Sequence, residues 1–274
     1  MGQIPGKVNL YLTVGPLRPR DGLHEIRSLL VPYGGVCDLL DLAPNPPGTG
    51  VTLHLTGRPI PGGDTPDTNL ATRAVNAYCQ AAQVPPDWKV TLHKAIPVGA
   101  GMGGGSADAA AALRELEALL PPEKRLGQDK LLALAATLGA DVPFFLHPVP
   151  SLATGAGEIL TRLPHFPVPP IRLLYPGFPS PVAWAYAHWT RPQGATPPLW
   201  PPKLPWNPSQ LWNDLAFAVE KKYPALQQAK EILLAAGATH TLLSGSGSAI
   251  LGVFPTHDTA RQANPTLPQN WELL

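Results

Sequence analysis

The chain has 274 residues, long for a single hydrophobic core, so two domains are expected. A formal net charge of +1 with only 14% charged residues supplies no basic surface for nucleic acid or an anionic membrane, while 44% hydrophobic residues suit a globular protein. Two cysteines, Cys37 and Cys79, make neither a disulfide framework nor a metal-ligand spacing, and no apolar run reaches a membrane span, so a cytoplasmic protein in a reducing compartment is expected.

Val8, Leu10, Leu12 and Val14 alternate with Lys7, Asn9, Tyr11 and Thr13, the period of a half-buried strand that places Lys7 and Asn9 on one face. Residues 36–42 and 51–55 read as further strands around a Pro/Gly turn, 68–83 as a helix, and 89–96 as a strand. That strand runs into Pro97-Val-Gly-Ala-Gly-Met-Gly-Gly-Gly-Ser-Ala-Asp108. A helix follows, with Ser106 as expected N-cap, Asp108 in the first turn and Leu113, Leu116, Leu119 and Leu120 at helical spacing, until Pro121 stops it. Residues 129–138 form another helix closed by Gly139, and Asp141 takes the N-cap position of a short element.

Around residue 150 the pattern changes. Residues 152–163 and 171–175 read as strands, 211–222 and 225–236 as helices, and 239–243 and 249–254 as strands flanking Ser244-Gly-Ser-Gly-Ser248. Fourteen prolines fall between 164 and 208, but five of the seven tryptophans lie between 184 and 212, and aromatics need a surface to pack on, so an ordered segment is expected. The chain reads as two α+β domains, 1–150 and 151–274.

The glycine loop carries the first chemical signal. Glycines at 99, 101, 103, 104 and 105 let successive backbone N–H groups close on an anion at the mouth of a helix, whose own unpaired N–H groups and dipole favour phosphate there. A Walker loop would need Lys then Ser or Thr after its last glycine, which is absent. The spacing Gly99-x-Gly101-x-x-Gly104 matches a dinucleotide fingerprint, but the second strand with its acidic end does not follow. A plain turn needs one or two glycines, not five.

Four segments in order, Gly6-Lys-Val-Asn-Leu10, Pro97 to Ala110, Gly139-Ala-Asp-Val-Pro143 and Leu243-Ser-Gly-Ser-Gly247, resemble the motifs of the GHMP kinases, the superfamily of galactokinase, homoserine kinase, mevalonate kinase and phosphomevalonate kinase. The resemblance spans about the whole chain. It implies the two-domain GHMP kinase fold, with a ribosomal-protein-S5-like N-terminal domain that binds ATP and a ferredoxin-like C-terminal domain that contributes to the substrate site. Two details resemble one branch of that superfamily: the long Gly-Met-Gly-Gly-Gly-Ser loop, and Arg20-Asp-Gly-Leu-His24. That branch phosphorylates the 2-hydroxyl of a cytidine diphosphate ester of methylerythritol, in non-mevalonate isoprenoid synthesis.

By that resemblance Pro97, Val98, Gly99, Ala100, Gly101, Met102, Gly103, Gly104, Gly105, Ser106 and Ala107 hold the ATP phosphates. Asp141 takes the proton from the attacking hydroxyl, Lys7 holds that hydroxyl and steadies the aspartate's charge, and Asn9 orients substrate. Ser106 is a Mg²⁺ or phosphate ligand. His24 reads cytosine, with Trp184 and Tyr175 as stacking aromatics. Leu23 stands where the branch has an aromatic, and Ala107 and Asp108 stand for the usual Ser and Asn, small changes just past the cradle. The expected partners are ATP, Mg²⁺ and a small cytidine diphosphate substrate, with no nucleic acid or membrane, in a monomer or weak homodimer. Two alternatives stay open: a superfamily member acting on homoserine or a mevalonate-type alcohol, and a nucleotide-binding module without catalysis.

Overall fold

In the computed structural model the chain is described over residues 2–60 and 64–274; Met1, where the first expected domain begins, lies outside the described residues. Its elements in chain order are β1 (Gly2–Leu17), β2 (His24–Pro44), β3 (Thr52–Gly57), α1 (Leu70–Ala82), β4 (Trp88–Lys94), α2 (Gly104–Leu119), α3 (Gln128–Leu138) and α4 (Val142–Leu146). They continue with β5 (Ser151–Thr154), β6 (Ile159–Arg162), β7 (Ile171–Tyr175), α5 (Val182–Ala187), β8 (Trp212–Asn213), α6 (Ala216–Lys222), α7 (Ala225–Ala235), β9 (His240–Leu243), β10 (Ile250–Val253), α8 (His257–Gln262) and β11 (Glu272–Leu273). The α+β class read from the sequence is the class observed.

Two compact units account for these elements, and the chain enters each more than once. The first comprises Met1–Gly6, Val36–Val98 and Gly103–Pro148; the second Lys7–Gly35, Gly99–Met102 and Val149–Leu274. One passage lies at Pro148/Val149, next to the change of pattern seen in the sequence. The others divide β1, β2 and the glycine loop, because strands of 16 and 21 residues are longer than one small core requires.

In the first unit β3 runs parallel to β4, and β4 pairs antiparallel with residues 39–44 of β2. Helix α1 starts at Asn69, whose Oδ1 accepts the N–H of Ala71 (2.9 Å), and ends on Gln83 in the left-handed conformation. Helix α2 buries Ala107, Ala109, Ala110, Ala111 and Ala112 with Leu113 and Leu116, and these small side chains let α1 and α4 pack closely on it.

The second unit has β8 parallel to β1, β5 antiparallel to residues 28–30 of β2, and β6 completing a hairpin with β5. A separate antiparallel sheet runs β11-β7-β10-β9. Leu174, Leu215, Leu226, Leu233, Leu243 and Ile250 are buried in its core.

Several expectations are corrected. The first strand is buried on both faces, not one: Val8 and Leu10 are buried, and so are Lys7, Asn9 and Tyr11. Residues 24–35 extend β2 where the sequence signalled nothing, because the run Leu29-Leu30-Val31 and the residues Pro32, Gly34 and Gly35 break the alternation. The segment 152–163 is a hairpin rather than one strand. The helix expected at 211–222 begins only at Ala216, since Asn213 donates to the carbonyls of Leu243 (2.8 Å) and Gly245 (2.7 Å) and accepts from Leu215 N (2.9 Å), which holds Trp212–Asn213 extended.

Candidate active site

The residues singled out by the sequence fall into two groups, one in each unit. In the second unit the Lys7 ammonium donates to Asn9 Oδ1 (2.7 Å) and to the Gly101 carbonyl (3.0 Å), and the Lys7 backbone N–H donates to Met102 O (2.9 Å). Asn9 in turn donates to Ser28 Oγ (2.8 Å), and Ser28 to the Tyr11 carbonyl (2.7 Å). Both ends of the Asn9 amide are thus engaged, and one of them steers Lys7.

Residues 99–102 lie against the second glycine–serine segment. Ser248 N donates to Gly99 O (2.9 Å) and Ala249 N to Ala100 O (3.2 Å). Gly101 has φ +75°, and a Cβ there would sit 1.9 Å from the Ser244 carbonyl, so only glycine fits. Gly245, at φ +54°, brings that segment within 3.1 Å of the Lys7 Nζ by the same measure. This contact brings the two distant glycine–serine stretches together beside Lys7.

In the first unit the loop turns into helix at Gly103, whose φ of 70° makes it the N-cap. Ser106, expected as the cap, is instead the third residue of α2; a left-handed cap requires glycine, and three glycines precede it. The first intrahelical bond is Ala107 N–H to Gly103 O (2.9 Å), so the N–H groups of Gly104, Gly105 and Ser106 have no intrahelical acceptor, the arrangement that attracts phosphate. A Cβ on Gly139 would lie 3.8 Å from Ser106 Oγ, which brings the turn carrying Asp141 beside the head of α2. Asp141 does hold the N-cap position of α4, but its side chain accepts no bond from that helix.

Behind the loop, sequence reasoning missed a buried cluster. Lys94, the last residue of β4, is bonded to Asp38 Oδ2 and to Asp108 Oδ2 (2.5 Å), while Asp38 Oδ1 accepts the N–H groups of Ala95 (2.6 Å) and Ile96 (2.8 Å). Burial pushes the Asp108 carboxyl up to about 8 against the pull of Lys94, and the charge of Asp38 adds to the rise. Asp108 is therefore no small change from Asn. Its signal was a charged residue in an otherwise alanine-lined helix face.

His24 opens β2 in the second unit, half-buried, with Nδ1 2.8 Å from the Gly15 carbonyl; since a carbonyl only accepts, Nδ1 carries the hydrogen and Nε2 is left as the acceptor. Its turn is braced by Arg18, which bonds Asp21 (Nη2–Oδ2 2.5 Å) and Glu158 (Nη1–Oε1 2.6 Å), while Asp21 Oδ1 accepts Leu23 N (3.1 Å). Tyr186 stacks toward the His24 ring at 6.0 Å and Trp189 meets it edge-on at 6.0 Å. Trp184, the aromatic expected there, lies elsewhere: its ring stacks on His188 (4.5 Å) under the Lys222 ammonium (3.7 Å). Tyr175 is buried in β7 opposite Glu272. Trp184 and His188 are four apart across the last turn of α5, which turns Tyr186 to another side of that helix, and Trp189 follows the helix end.

Among the described residues no group of three or more His, Cys, Asp or Glu could hold a metal ion, and no helix is long and apolar enough to cross a membrane.

Comparison with known proteins now assigns the class. Residues 69–148 match the GHMP kinases N terminal domain and residues 207–272 the GHMP kinases C terminal domain. The chain belongs to the GHMP kinases, ATP-dependent phosphotransferases with an alcohol acceptor. It is 41% identical to 4-diphosphocytidyl-2-C-methyl-D-erythritol kinase of Anaeromyxobacter dehalogenans (strain 2CP-1 / ATCC BAA-258), over 94% of this chain and 82% of that protein. It is 39% identical to the protein of the same name from Citrifermentans bemidjiense, over 94% of this chain and 91% of that one. A crystal structure of 4-(cytidine 5'-diphospho)-2C-methyl-D-erythritol kinase superposes with a TM-score of 0.75 at 36% identity, covering 96% of this chain and 92% of the other.

Proposed function

We propose that the protein transfers the γ-phosphate of ATP to the 2-hydroxyl of 4-diphosphocytidyl-2-C-methyl-D-erythritol, a step of non-mevalonate isoprenoid synthesis, in the cytoplasm. The observation that carries this reading within the superfamily is His24: a histidine whose acceptor nitrogen is fixed by Gly15 and flanked by aromatic rings suits the amino group of a cytosine, and homoserine or mevalonate offers nothing for it. The relatives' names and the shared length support the same substrate.

In this reading residues 1–150 bind the donor and 151–274 contribute to the substrate site. Residues 97–107 cradle the phosphates with backbone N–H groups, which favours the extra charge of the transferring group. Asp141 accepts the proton of the attacking hydroxyl, and Lys7 holds that hydroxyl, itself steered by Asn9. Tyr186 and Trp189 support the base from the side of His24, in place of the stack that Leu23 cannot offer; Trp184 and Tyr175 line more distant parts of the same unit. Among the described residues no group of three or more His, Cys, Asp or Glu could hold a cation, so the Ser106 hydroxyl would be the protein's ligand for a Mg²⁺ ion bound with ATP, which would neutralise phosphate charge.

The test is ADP release, measured with a coupled assay on purified protein, ATP and Mg²⁺. Turnover is expected with the diphosphocytidyl alcohol and not with homoserine or mevalonate, and inhibition by cytidine diphosphate should raise the apparent KM for the alcohol. Turnover of homoserine or mevalonate that cytidine diphosphate leaves unchanged would refute the substrate assignment.

A further inference from the structure

Asp214 is fully buried in the second unit, and no step described so far uses it. Its carboxylate accepts from Val14 N (2.8 Å) and Arg191 Nη2 (2.5 Å) on Oδ2, and from Trp212 Nε1 (2.7 Å) and Arg191 Nε (3.0 Å) on Oδ1. We propose that Asp214 and Arg191 are positioning residues of the pyrimidine site, holding in one register the strand that fixes His24 and the segment that carries Trp189. The proposal rests on the reading that His24 and its flanking rings receive the cytosine.

The first attachment is to β1. Asp214 follows β8, which pairs with β1 through Tyr11 opposite Trp212 and Leu12 opposite Asn213, and the Asp214 backbone N–H donates to Leu12 O (2.9 Å). Backbone and side chain together therefore hold β1 at Leu12 and at Val14. The next residue, Gly15, supplies the carbonyl that takes the His24 Nδ1 hydrogen at 2.8 Å and leaves Nε2 as the acceptor. A shift of β1 at this point would move that carbonyl and free the ring to turn.

The second attachment is to the segment after α5. Trp189 lies past the end of that helix, outside any helix or strand, yet its ring meets His24 edge-on at 6.0 Å. Arg191 follows two residues later. Two residues of chain reach at most about 7 Å, so anchoring Arg191 limits where the Trp189 ring can go. The anchor is a bidentate fork, which fixes the plane of the guanidinium as well as its distance; an ammonium would keep the charge and lose the fork. The carboxylate is 0% exposed and the Arg191 side chain 32%, so the pair is reached from its cationic end only. A buried ion pair is weak evidence for stability, and its fixed geometry is of most use in specifying one arrangement of what it joins. Here it joins the strand and the ring on either flank of His24.

Steady-state kinetics and calorimetric titration with cytidine diphosphate, both on the full chain, test this. Arg191→Met should raise the KM for the diphosphocytidyl alcohol and the Kd for cytidine diphosphate by about three- to tenfold, no more than removal of a stacking ring would. Its kcat and its KM for ATP should stay within about twofold of wild type. Arg191→Lys should fall between wild type and Arg191→Met. In a Trp189→Ala background, Arg191→Met should add less than about twofold, since residues acting through one contact are not additive. Asp214→Asn should reproduce the rise in KM; where that variant folds poorly, the Arg191 series still decides. An unchanged KM in Arg191→Met or in a folded Asp214→Asn, a fall in kcat as large as the rise in KM, or multiplying effects in the double variant would overturn the proposal and leave the kinase reading in place. Failure of the wild type to bind cytidine diphosphate would instead remove the reading of His24, and this inference with it.

Discussion

Lys94 stands between Asp38 and Asp108 in one unit, and Arg18 stands between Asp21 and Glu158 in the other. Each is a single cation with two carboxylates beside a turn, the glycine loop in the first case and the turn before His24 in the second. Asp108 in the first cluster and Asp21 in the second move in opposite directions. Asp108, 4% exposed, is pushed up by burial, whereas the Arg18 guanidinium beside Asp21, 32% exposed, holds that carboxyl below its ordinary range. At Asp108 the cost of burying the ionised form exceeds what Lys94 recovers, whereas Asp21 keeps contact with water beside Arg18.

The largest expected effect would separate the two regions by function. Asp141→Asn, beside the head of α2, should lower turnover by about 10²- to 10⁴-fold with ATP affinity nearly unchanged, and near-normal turnover would remove the base from the first unit. Lys7→Ala should likewise depress turnover more than the unfolding temperature. Next in size, Lys94→Met leaves two buried carboxylates without their cation and should cost about 3–5 kcal/mol in denaturant unfolding. Arg18→Met should shift the midpoint by less than half as much; equal losses would mean that burial does not distinguish the clusters.

Smaller effects sharpen the recognition side. Tyr186→Ala and Trp189→Ala should each raise the KM for the diphosphocytidyl alcohol by roughly tenfold, consistent with ~1–3 kcal/mol for a base stacked on an aromatic, and leave the KM for ATP alone. Trp184→Ala, which loses the His188 and Lys222 contacts, should change that KM less. The smallest is a difference in pH dependence. Asp108 has a folded value of about 8, above its unfolded one, so its contribution is present in acid and lost as pH rises through 8; wild-type Tm should fall between pH 6 and 9 relative to Asp108→Asn. Asp21 is depressed, so its contribution is present above the unfolded value and lost as pH falls through the folded one. The Tm gap between wild type and Asp21→Asn should close in acid, below about pH 4.

The glycine loop before α2, Lys7 on β1, Asp141 at the start of α4 and His24 at the start of β2 were placed from the sequence because each sits in a short motif whose spacing is local. Helices with a cap or a stop, such as 68–83 and 225–236, were legible for the same reason. Two readings went astray where a side chain bonds far along the chain. Asn213 reaches Leu243 and Gly245 and cancels a helical turn, and the Lys7–Asn9 face is buried by Gly101 and Gly245. The sequence pointed to Trp184 and Tyr175, whereas the rings beside His24 are those of Tyr186 and Trp189, because position in a motif does not say which way a short helix turns its faces.

Read alone, the sequence determined what is set by residue type and neighbour: a glycine loop at a helix mouth, a lysine on a strand, an aspartate at a turn, and a histidine after Asp-Gly-Leu. Tertiary structure alone decided which of these are dry. Asp38, Lys94 and Asp108 are separated by 56 and 14 residues, and only the packing of β2, β4 and α2 brings them together away from water. The ionisation of Asp108 depends on that exclusion, a property of the folded surroundings that no stretch of sequence carries.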